Sequence, residues 1–266
     1  MMNVRHAAVA GTFYPDEPEV LIRNIDSMLF DIDESAHKKS PKAMIVPHAG
    51  YIYSGPTAAA AYSLLDPERV KRVILFGPTH RVLLSGLAVP DVDAFETPLG
   101  KVPLDRDAIR QISKLEQVHI DNESHATEHS LEVHLPFLQH RLNQFTLVPV
   151  AIGQARPEMV AEVLDMLWGG EETVIIISSD LSHFHTYEKA RQMDLATVET
   201  ILQRVPTIHH EQACGATPIN GLLSAMVKHP LAPKLIDFRN SGDTAGPHDR
   251  VVGYASIAFY EQGTAP

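Results

Sequence analysis

The stretch that decides the fold is Ala43–Gly55, with the sequence AMIVPHAGYIYSG. Its first four residues are apolar, which is typical of a strand buried on both faces of a sheet. Pro47 lacks a backbone N–H and is expected to end the strand, and His48 follows it directly. We predict that a Tyr-x-Tyr-Ser-Gly turn then leads into an alanine-rich helix over Pro56–Leu65. His48 would therefore lie at the carboxyl end of a strand, where open α/β sheets bind their ligands.

Two later stretches repeat this arrangement of an apolar strand followed by a histidine. Arg72–His80, RVILFGPTH, contains an apolar strand, a Gly-Pro turn and a histidine. Thr173–His183, TVIIISSDLSH, runs from β-branched residues into serines, an aspartate and a histidine. Because the carboxyl ends of parallel strands meet at one edge of a sheet, the three stretches predict that three imidazoles share one site.

Strands and helices alternate along the chain, and this alternation favours an α/β fold. We predict a single three-layer α/β/α domain over residues 1–266, with a mixed, largely parallel central sheet. The two C-terminal strands, Leu235–Arg239 and Val251–Tyr260, are expected to pair antiparallel and so make the sheet mixed. Phe95–Pro103 is rich in proline and glycine and is predicted to be a loop.

The charge of the chain restricts the classes of partner. It has 22 lysines and arginines against 33 aspartates and glutamates, a formal net charge of −11 with histidine neutral. This balance argues against nucleic acid and against an anionic membrane as partners. The sequence has no apolar stretch of spanning length, and its N-terminus lacks the apolar core of a signal peptide. We therefore expect a soluble, cytoplasmic protein.

Histidine is unusually frequent, with 15 residues, whereas Cys214 is the single cysteine. One cysteine excludes an intramolecular disulfide and fits a reducing compartment. Taken alone, His48 or His80 is better explained by a hydrogen bond to loop backbone. Taken together, each after a Gly/Pro turn on a buried strand, they favour a shared metal site, because strand ends hold convergent ligands rigidly.

Cys214 is the candidate third ligand, and it precedes a predicted helix in the loop QACGATP. A lone cysteine is more often a small buried apolar residue than a metal ligand. A helix N-terminus, however, lowers the pKa of a thiol and favours the thiolate. Two imidazoles and a thiolate suit iron, copper or zinc, and ligand softness alone does not choose among these metals.

Asp180 and His183 lie in Ser178–His185, SSDLSHFH. One interpretation is a turn in which Asp180 and the serines cap the next helix. The other is a catalytic pair, since a histidine beside a carboxylate can act as a general acid/base. We predict the catalytic role for His183 and Asp180 and regard His185 as the less favoured histidine.

The segment Glu123–His134, ESHATEHSLEVH, is polar and rich in histidine. On a helix, Glu128 and Glu132 would share one face, but the segment lacks the HExxH order of a zinc protease. We predict that its carboxylates and imidazoles hold the ligand histidines in place through hydrogen bonds. For Glu132 and His134, a solvated helix face is a nearly equal alternative.

Six motifs resemble those of the MEMO family, whose prokaryotic members are called AmmeMemoRadiSam system protein B. In the family's order, and covering nearly the whole chain, they are AGTFYP (Ala10–Pro15), PHAGYIYSG (Pro47–Gly55), FGPTH (Phe76–His80), EHSLEVHLPF (Glu128–Phe137), SSDLSHF (Ser178–Phe184) and CGATP (Cys214–Pro218). The family is similar in fold to the class III extradiol ring-cleaving dioxygenases, which hold Fe(II) with two histidines and a glutamate.

Carried onto this sequence, the resemblance implies His48, His80 and Cys214 as metal ligands. One transition-metal ion is expected, with iron favoured and copper or zinc as alternatives. His183 falls where those dioxygenases keep their acid/base histidine, with Asp180 beside it. Cys214 replaces their glutamate, so the resemblance implies a related metal site rather than ring cleavage itself.

Two functions remain open from the sequence. The first is a non-haem metal-dependent oxidoreductase related to those dioxygenases, which acts on an unidentified small substrate. The second is a non-catalytic protein of the MEMO family that uses the same cleft to bind a metal, a phosphate-like or other acidic ligand, or a peptide. Eukaryotic members are described as phosphotyrosine-peptide binders and as copper or iron proteins. Arg5, Arg81 and His185 are the candidate anion contacts in the second case.

Overall fold

The computed structural model describes residues 2–29 and 40–261; residues 1, 30–39 and 262–266 of the predicted domain range lie outside this description. The described residues form twelve β-strands, which in chain order are β1 (Val4–Arg5), β2 (Ala43–Val46), β3 (Arg72–Pro78), β4 (Leu87–Val89), β5 (Ala94–Thr97), β6 (Gly100–Pro103), β7 (Val118–Ile120), β8 (Thr146–Ile152), β9 (Thr173–Ser178), β10 (His183–His185), β11 (Leu231–Asn240) and β12 (Val251–Glu261).

Nine α-helices lie in the same described ranges: α1 (Pro18–Leu29), α2 (Tyr51–Tyr62), α3 (Arg106–Ile112), α4 (Glu123–Ala126), α5 (His129–Glu132), α6 (Leu135–Arg141), α7 (Pro157–Leu167), α8 (Tyr187–Leu202) and α9 (Ala216–Ala225). A 3-10 turn, Ser241–Asp243, follows β11. None of these helices is long and apolar enough to cross a bilayer.

The main sheet is mixed, as predicted, and its strand order is β10-β12-β2-β9-β3-β8-β4-β7, with β11 paired to β12. The four central strands β2, β9, β3 and β8 run parallel. β12 pairs antiparallel with both β2 and β11, which confirms the expected C-terminal pairing. β2 and β9 are buried along their whole length, as expected for strands covered on both faces.

Helices cover the two faces of this sheet and complete the α/β/α layers. α2 packs on β2, β11 and β12 and against α1, which also contacts α6. α9 packs on β3 and α7, and α3 packs on α7 and β8. The central strands therefore lie in the apolar core, and only their ends reach solvent or loops.

The helix after His48 begins earlier than predicted, at Tyr51 rather than at Pro56, and ends at Tyr62. Tyr51 packs against Tyr14 and Phe137, with ring centroids 5.5 Å and 4.6 Å away. This tertiary packing outweighs the local turn signal, even though Pro56 lies inside the helix, where a proline removes one backbone hydrogen bond and crowds the preceding turn.

The prediction of a loop over Phe95–Pro103 is also wrong, because β5 and β6 form a hairpin there. The hairpin joins β1 in a separate three-stranded sheet. Pro98 and Gly100 lie at the turn, where Gly100 has a φ of +113° that favours glycine. The residues that suggested a loop therefore mark the connection between two short strands.

Candidate functional site

Three strand ends bring the site together at the carboxyl edge of the sheet. His48 follows β2, His80 follows β3, and Asp180 follows β9, which lies between the other two strands. Val46 of β2 pairs with Ser178 of β9, so the loops leave neighbouring strands at the same level. The strand register therefore brings together two of the three imidazoles predicted to share a site, those of His48 and His80, whereas the third strand contributes Asp180 here rather than His183.

His48 is buried, and both its backbone and its ring are held by β9 and the loop after it. The Nδ1 atom lies 2.6 Å from Ser178 Oγ, and the backbone N–H donates to Asp180 Oδ1 at 2.8 Å. Because Ser178 Oγ donates its own hydrogen to the carbonyl of Ser130 at 2.6 Å, it accepts the proton of His48 Nδ1. The lone pair of His48 is consequently on Nε2, the atom that contacts Cys214 Sγ, and burial lowers the pKa of the ring and keeps it neutral.

His80 is more open, with 31% of its side chain exposed, and it is fixed by Glu128. Its Nδ1 lies 2.9 Å from Glu128 Oε1, and its backbone N–H donates to Oε2 at 2.6 Å. Burial opposes ionisation of Glu128, but the hydrogen bonds from His80 and from Ser130 N–H outweigh it and lower the pKa of Glu128 to about 2. Since Nδ1 donates to a carboxylate, His80 also presents the lone pair of Nε2.

Cys214 lies in the loop before α9, and its Sγ is 3.4 Å from His48 Nε2. The backbone N–H of Asp180 donates to the sulfur at 3.2 Å. Burial and then the Asp180 carboxylate raise the pKa of the thiol to about 12. The expectation that the helix N-terminus would favour the thiolate is therefore wrong for the protein without a cation, because desolvation outweighs it.

His48, His80 and Cys214 form a cluster in which the potential ligand atoms all lie within 4.8 Å of one another. The donor set fits a transition metal: two imidazoles with their lone pairs on Nε2 and one sulfur. Burial also raises the pKa of Asp180 to about 6. The site thus contains two acids, Asp180 and Cys214, whose negative forms are disfavoured and which a bound cation would stabilise.

In a second group, His80, Glu128 and His129, the potential ligand atoms also lie within 4.8 Å of one another. It shares His80 with the cluster but uses Nδ1, the atom already bonded to Glu128. The rings of His80 and His129 are close, with centroids 4.5 Å apart. We therefore assign this group the predicted supporting role beside the metal ligands.

The alternative of a solvated face for Glu132 and His134 is wrong, because both side chains are buried. Glu132 accepts hydrogen bonds from Ala8 N–H at 2.8 Å, Val9 N–H at 3.0 Å and Tyr14 Oη at 2.5 Å, and it forms an ion pair with Arg5.

Arg5 is consequently not available to bind an external anion. The prediction that it could serve as an anion contact is therefore wrong. Its remaining nitrogens donate to the backbone carbonyls of His125 and Glu128, each at 2.9 Å. The N-terminal segment thereby holds the Glu128 loop against the sheet.

Ser178 orients His48, a role that the sequence did not predict, because its serines were considered only as possible helix caps. Besides His48, its hydroxyl contacts His134 Nε2 at 2.8 Å, and His134 Nδ1 in turn lies 2.7 Å from Tyr62 Oη. Its position as the last residue of β9, directly before the Ser-Asp pair, was the available signal.

His183 begins β10, which pairs with β12. His183 is close enough to interact electrostatically with His48 and Asp180. It contributes to the lowered pKa of His48, after burial and three other histidines, and it opposes the raised pKa of Asp180. A cleft of about 570 Å³ is lined by His80 and Cys214, and His183 is not among the described lining residues. The acid/base role of His183 and Asp180 stays a prediction.

The loop before His183 is held by α8. Asp194 Oδ1 accepts from Ser182 N–H at 2.9 Å, and Gly253 N–H donates to the carbonyl of Ser182 at 2.9 Å. A Cβ atom at Gly253 would lie 1.9 Å from Asp194 Oδ2. His185 lies near Asp194, where its charge would favour the ionised carboxyl, and not in the cleft lining given by the described residues.

Comparison with known proteins gives one family. The family described as "Memo-like protein" matches residues 5–258. A "MEMO1 family protein" of Aquifex aeolicus is 37% identical over 97% of this chain and 100% of its own length. Another, of Sulfolobus acidocaldarius, is 34% identical over 96% of this chain and 99% of its own.

Among solved structures, the crystal structure of the uncharacterized protein JW3007 from Escherichia coli K12 is similar, with a TM-score of 0.50 and 12% identity. The match covers 81% of this chain and 98% of that one. At this identity the likeness concerns the fold alone.

Proposed function

We propose that the chain, which belongs to the Memo-like protein family, is a non-haem metal-dependent oxidoreductase that acts on a small substrate. One observation carries the proposal. The ligand atoms of His48, His80 and Cys214 lie within 4.8 Å of one another at the carboxyl edge of the sheet. Bonds of about 2.0–2.1 Å to nitrogen and 2.3 Å to sulfur place two ligands roughly 3–4 Å apart, and the 3.4 Å between His48 Nε2 and Cys214 Sγ fits this range.

Iron is the favoured metal, with copper or zinc as alternatives, and it would supply redox chemistry and open coordination positions beside the cleft. The chain's own residues prepare the site for it. Ser178 and Glu128 hold Nδ1 of His48 and of His80, which leaves Nε2 of each ring as the atom to bind the metal. The Asp180 N–H orients the sulfur of Cys214.

His183 is the residue we propose to move a proton, with Asp180 as its partner. Their electrostatic interaction at the strand edge supports this assignment. A histidine exchanges its proton near neutral pH, which suits a general acid/base. The hydrogen bond from the His48 N–H to Asp180 keeps that carboxyl attached to the metal-binding loop.

Metal content after anaerobic purification tests the site. We expect His48→Ala, His80→Ala and Cys214→Ser to lose bound iron while keeping the wild-type circular dichroism spectrum. His210→Ala is the matched control, since His210 lines the same cleft outside the cluster, and it should retain iron. Full iron stoichiometry in Cys214→Ser would reduce the site to two histidines and overturn the assignment.

Turnover of a catechol panel tests the activity. His183→Ala should keep the metal and lose roughly 10²–10⁴-fold in rate if this histidine is the general acid/base. Equal turnover in His183→Ala and wild type would reject that role. No turnover by the iron-loaded wild type on a broad panel of reduced aromatics would favour the non-catalytic binding protein instead.

A further inference from the structure

The cleft beside the metal cluster differs in charge from the chain as a whole. Its volume of about 570 Å³ is in the range of small-molecule sites. The chain contains 33 aspartates and glutamates, yet none lies among the described residues that line the cleft. The lining does include Arg81, whose side chain carries a positive charge in an otherwise acidic protein.

Arg81 is available to a ligand. It follows His80 directly, its side chain is exposed, and it forms no ion pair with any described residue. Arginine remains charged at all working pH values and presents a planar fork that matches a carboxylate.

The rest of the lining complements an anion with an apolar body. Val82, Leu83, Leu84 and Ile152 form an apolar wall of the cleft, and Leu83 is 89% exposed, so its side chain is accessible to a ligand. On the side of Cys214, Thr217 Oγ1 and His210 Nε2 lie 3.3 Å apart and offer hydrogen-bonding groups.

We propose that the cleft binds a small carboxylate with an apolar or aromatic body, with the carboxylate on Arg81 and the body directed along the leucines towards His80 and Cys214. One guanidinium without a second fixed cation balances a single negative charge, which favours a carboxylate over a phosphate dianion. This inference rests on the proposed function, because it names the substrate class of that oxidoreductase site. The binding itself requires only Arg81 and the apolar wall.

Calorimetry with benzoate and its neutral isostere benzamide tests the inference on wild type, Arg81→Gln and Lys101→Gln. Lys101 lines a separate cavity and is the matched loss of one positive charge. Wild type and Lys101→Gln should bind benzoate more tightly than benzamide. Arg81→Gln should bind benzoate about 10–100-fold more weakly, as expected for a lost charged hydrogen bond, with benzamide unchanged.

Equal benzoate affinity in Arg81→Gln and wild type would overturn the proposal, as would no benzoate binding at millimolar concentration. Tighter binding of phenyl phosphate than of benzoate would replace the carboxylate with a phosphate-bearing ligand. Iron content is measured on the same samples and should not differ between Arg81→Gln and wild type. A failure of the oxidoreductase proposal would appear as missing iron or missing turnover, whereas a failure of this inference appears only in the benzoate comparison.

Discussion

Two cavities of nearly equal size lie at opposite edges of the central sheet. The cleft at the carboxyl edge is about 570 Å³ and contains His80 and Cys214. The cavity at the amino edge is about 560 Å³ and is lined by Lys71, Lys101 and the side-chain amides of Gln139, Asn143 and Gln144, among others. Volume therefore does not distinguish a functional site here.

The difference lies in what surrounds each cavity. Behind the carboxyl edge are buried ionisable groups with shifted pKa values, including Glu128 at about 2 and Asp180 at about 6. At the amino edge one lysine, Lys42, is also buried, and burial lowers its pKa to about 8. Other charged side chains there are on the surface, such as the pair of Arg69 and Glu171, 59% and 66% exposed. Burying charge costs free energy, so its concentration at one edge indicates which edge the fold keeps for chemistry.

The largest expected effect comes from the ion pair that underlies the carboxyl edge. Arg5→Met leaves the buried Glu132 carboxylate without its countercharge, and we expect a loss of about 3–5 kcal/mol in the free energy of unfolding. Arg69→Met breaks the exposed pair at the amino edge and should cost less than about 1 kcal/mol. Urea denaturation measures both free energies of unfolding. Equal losses in the two variants would show that the buried pair is no more important for stability than the exposed one.

A smaller effect is expected where the carboxyl edge supports a ligand without binding metal itself. Glu128→Gln weakens the hold on His80 Nδ1, and loss of such a partner typically costs about 10–100-fold in metal affinity. Glu172→Gln, directly before β9 at the amino edge, is the control and should bind metal as wild type does. Competition with a metallochromic chelator gives both affinities, and an unchanged value for Glu128→Gln would contradict the supporting role.

The smallest effect concerns Asp194, and it depends on pH. Burial raises the pKa of this carboxyl from 3.8 to about 6 in the folded protein, so the folded state binds the proton more tightly than the unfolded chain. The stability that the protonated Asp194 carboxyl contributes is present below about pH 4 and is lost as pH rises through 6. Asp194→Asn should therefore exceed wild type by about 1–3 kcal/mol at pH 8, and the gap should close towards pH 4.

The exposed Asp107 on α3, whose side chain is 87% exposed, provides the comparison. Asp107→Asn removes only a surface ion pair with Arg110 and should change the free energy of unfolding by less than about 1 kcal/mol at pH 8. A gap for Asp194→Asn that stays constant or widens between pH 8 and pH 4 would show that its carboxyl is not penalised by burial.

The sequence was sufficient to predict the elements that carry the cluster. Apolar runs followed directly by His48 and His80 reveal strand ends, because a fully buried strand must be apolar throughout. The partners that orient these rings were harder to predict. Glu128 was correctly expected near the ligands, but the burial of Glu132 and His134 follows from Arg5 and Ser178, which lie far away in sequence.

Two errors have the same physical origin. Arg5 was a candidate anion contact, and only the tertiary fold reveals its buried carboxylate partner. The thiol of Cys214 was expected to ionise readily because of the following helix, but the sequence does not show that the fold buries it and places the Asp180 carboxylate near it, both of which raise its pKa. Local patterns predict where a residue lies on an element and not which charges the fold brings next to it.

The contact between Gly253 and Asp194 constrains the order in which these positions can change during evolution. A side chain at position 253 would overlap a carboxylate that is itself buried and fixed by Ser182. A lineage that acquires alanine at position 253 must therefore first shorten the residue at 194, since the reverse order passes through a clashing intermediate. Among descendants of this sequence, a substituted 253 paired with an intact aspartate at 194 should be absent, and the loop that carries His183 inherits this restriction.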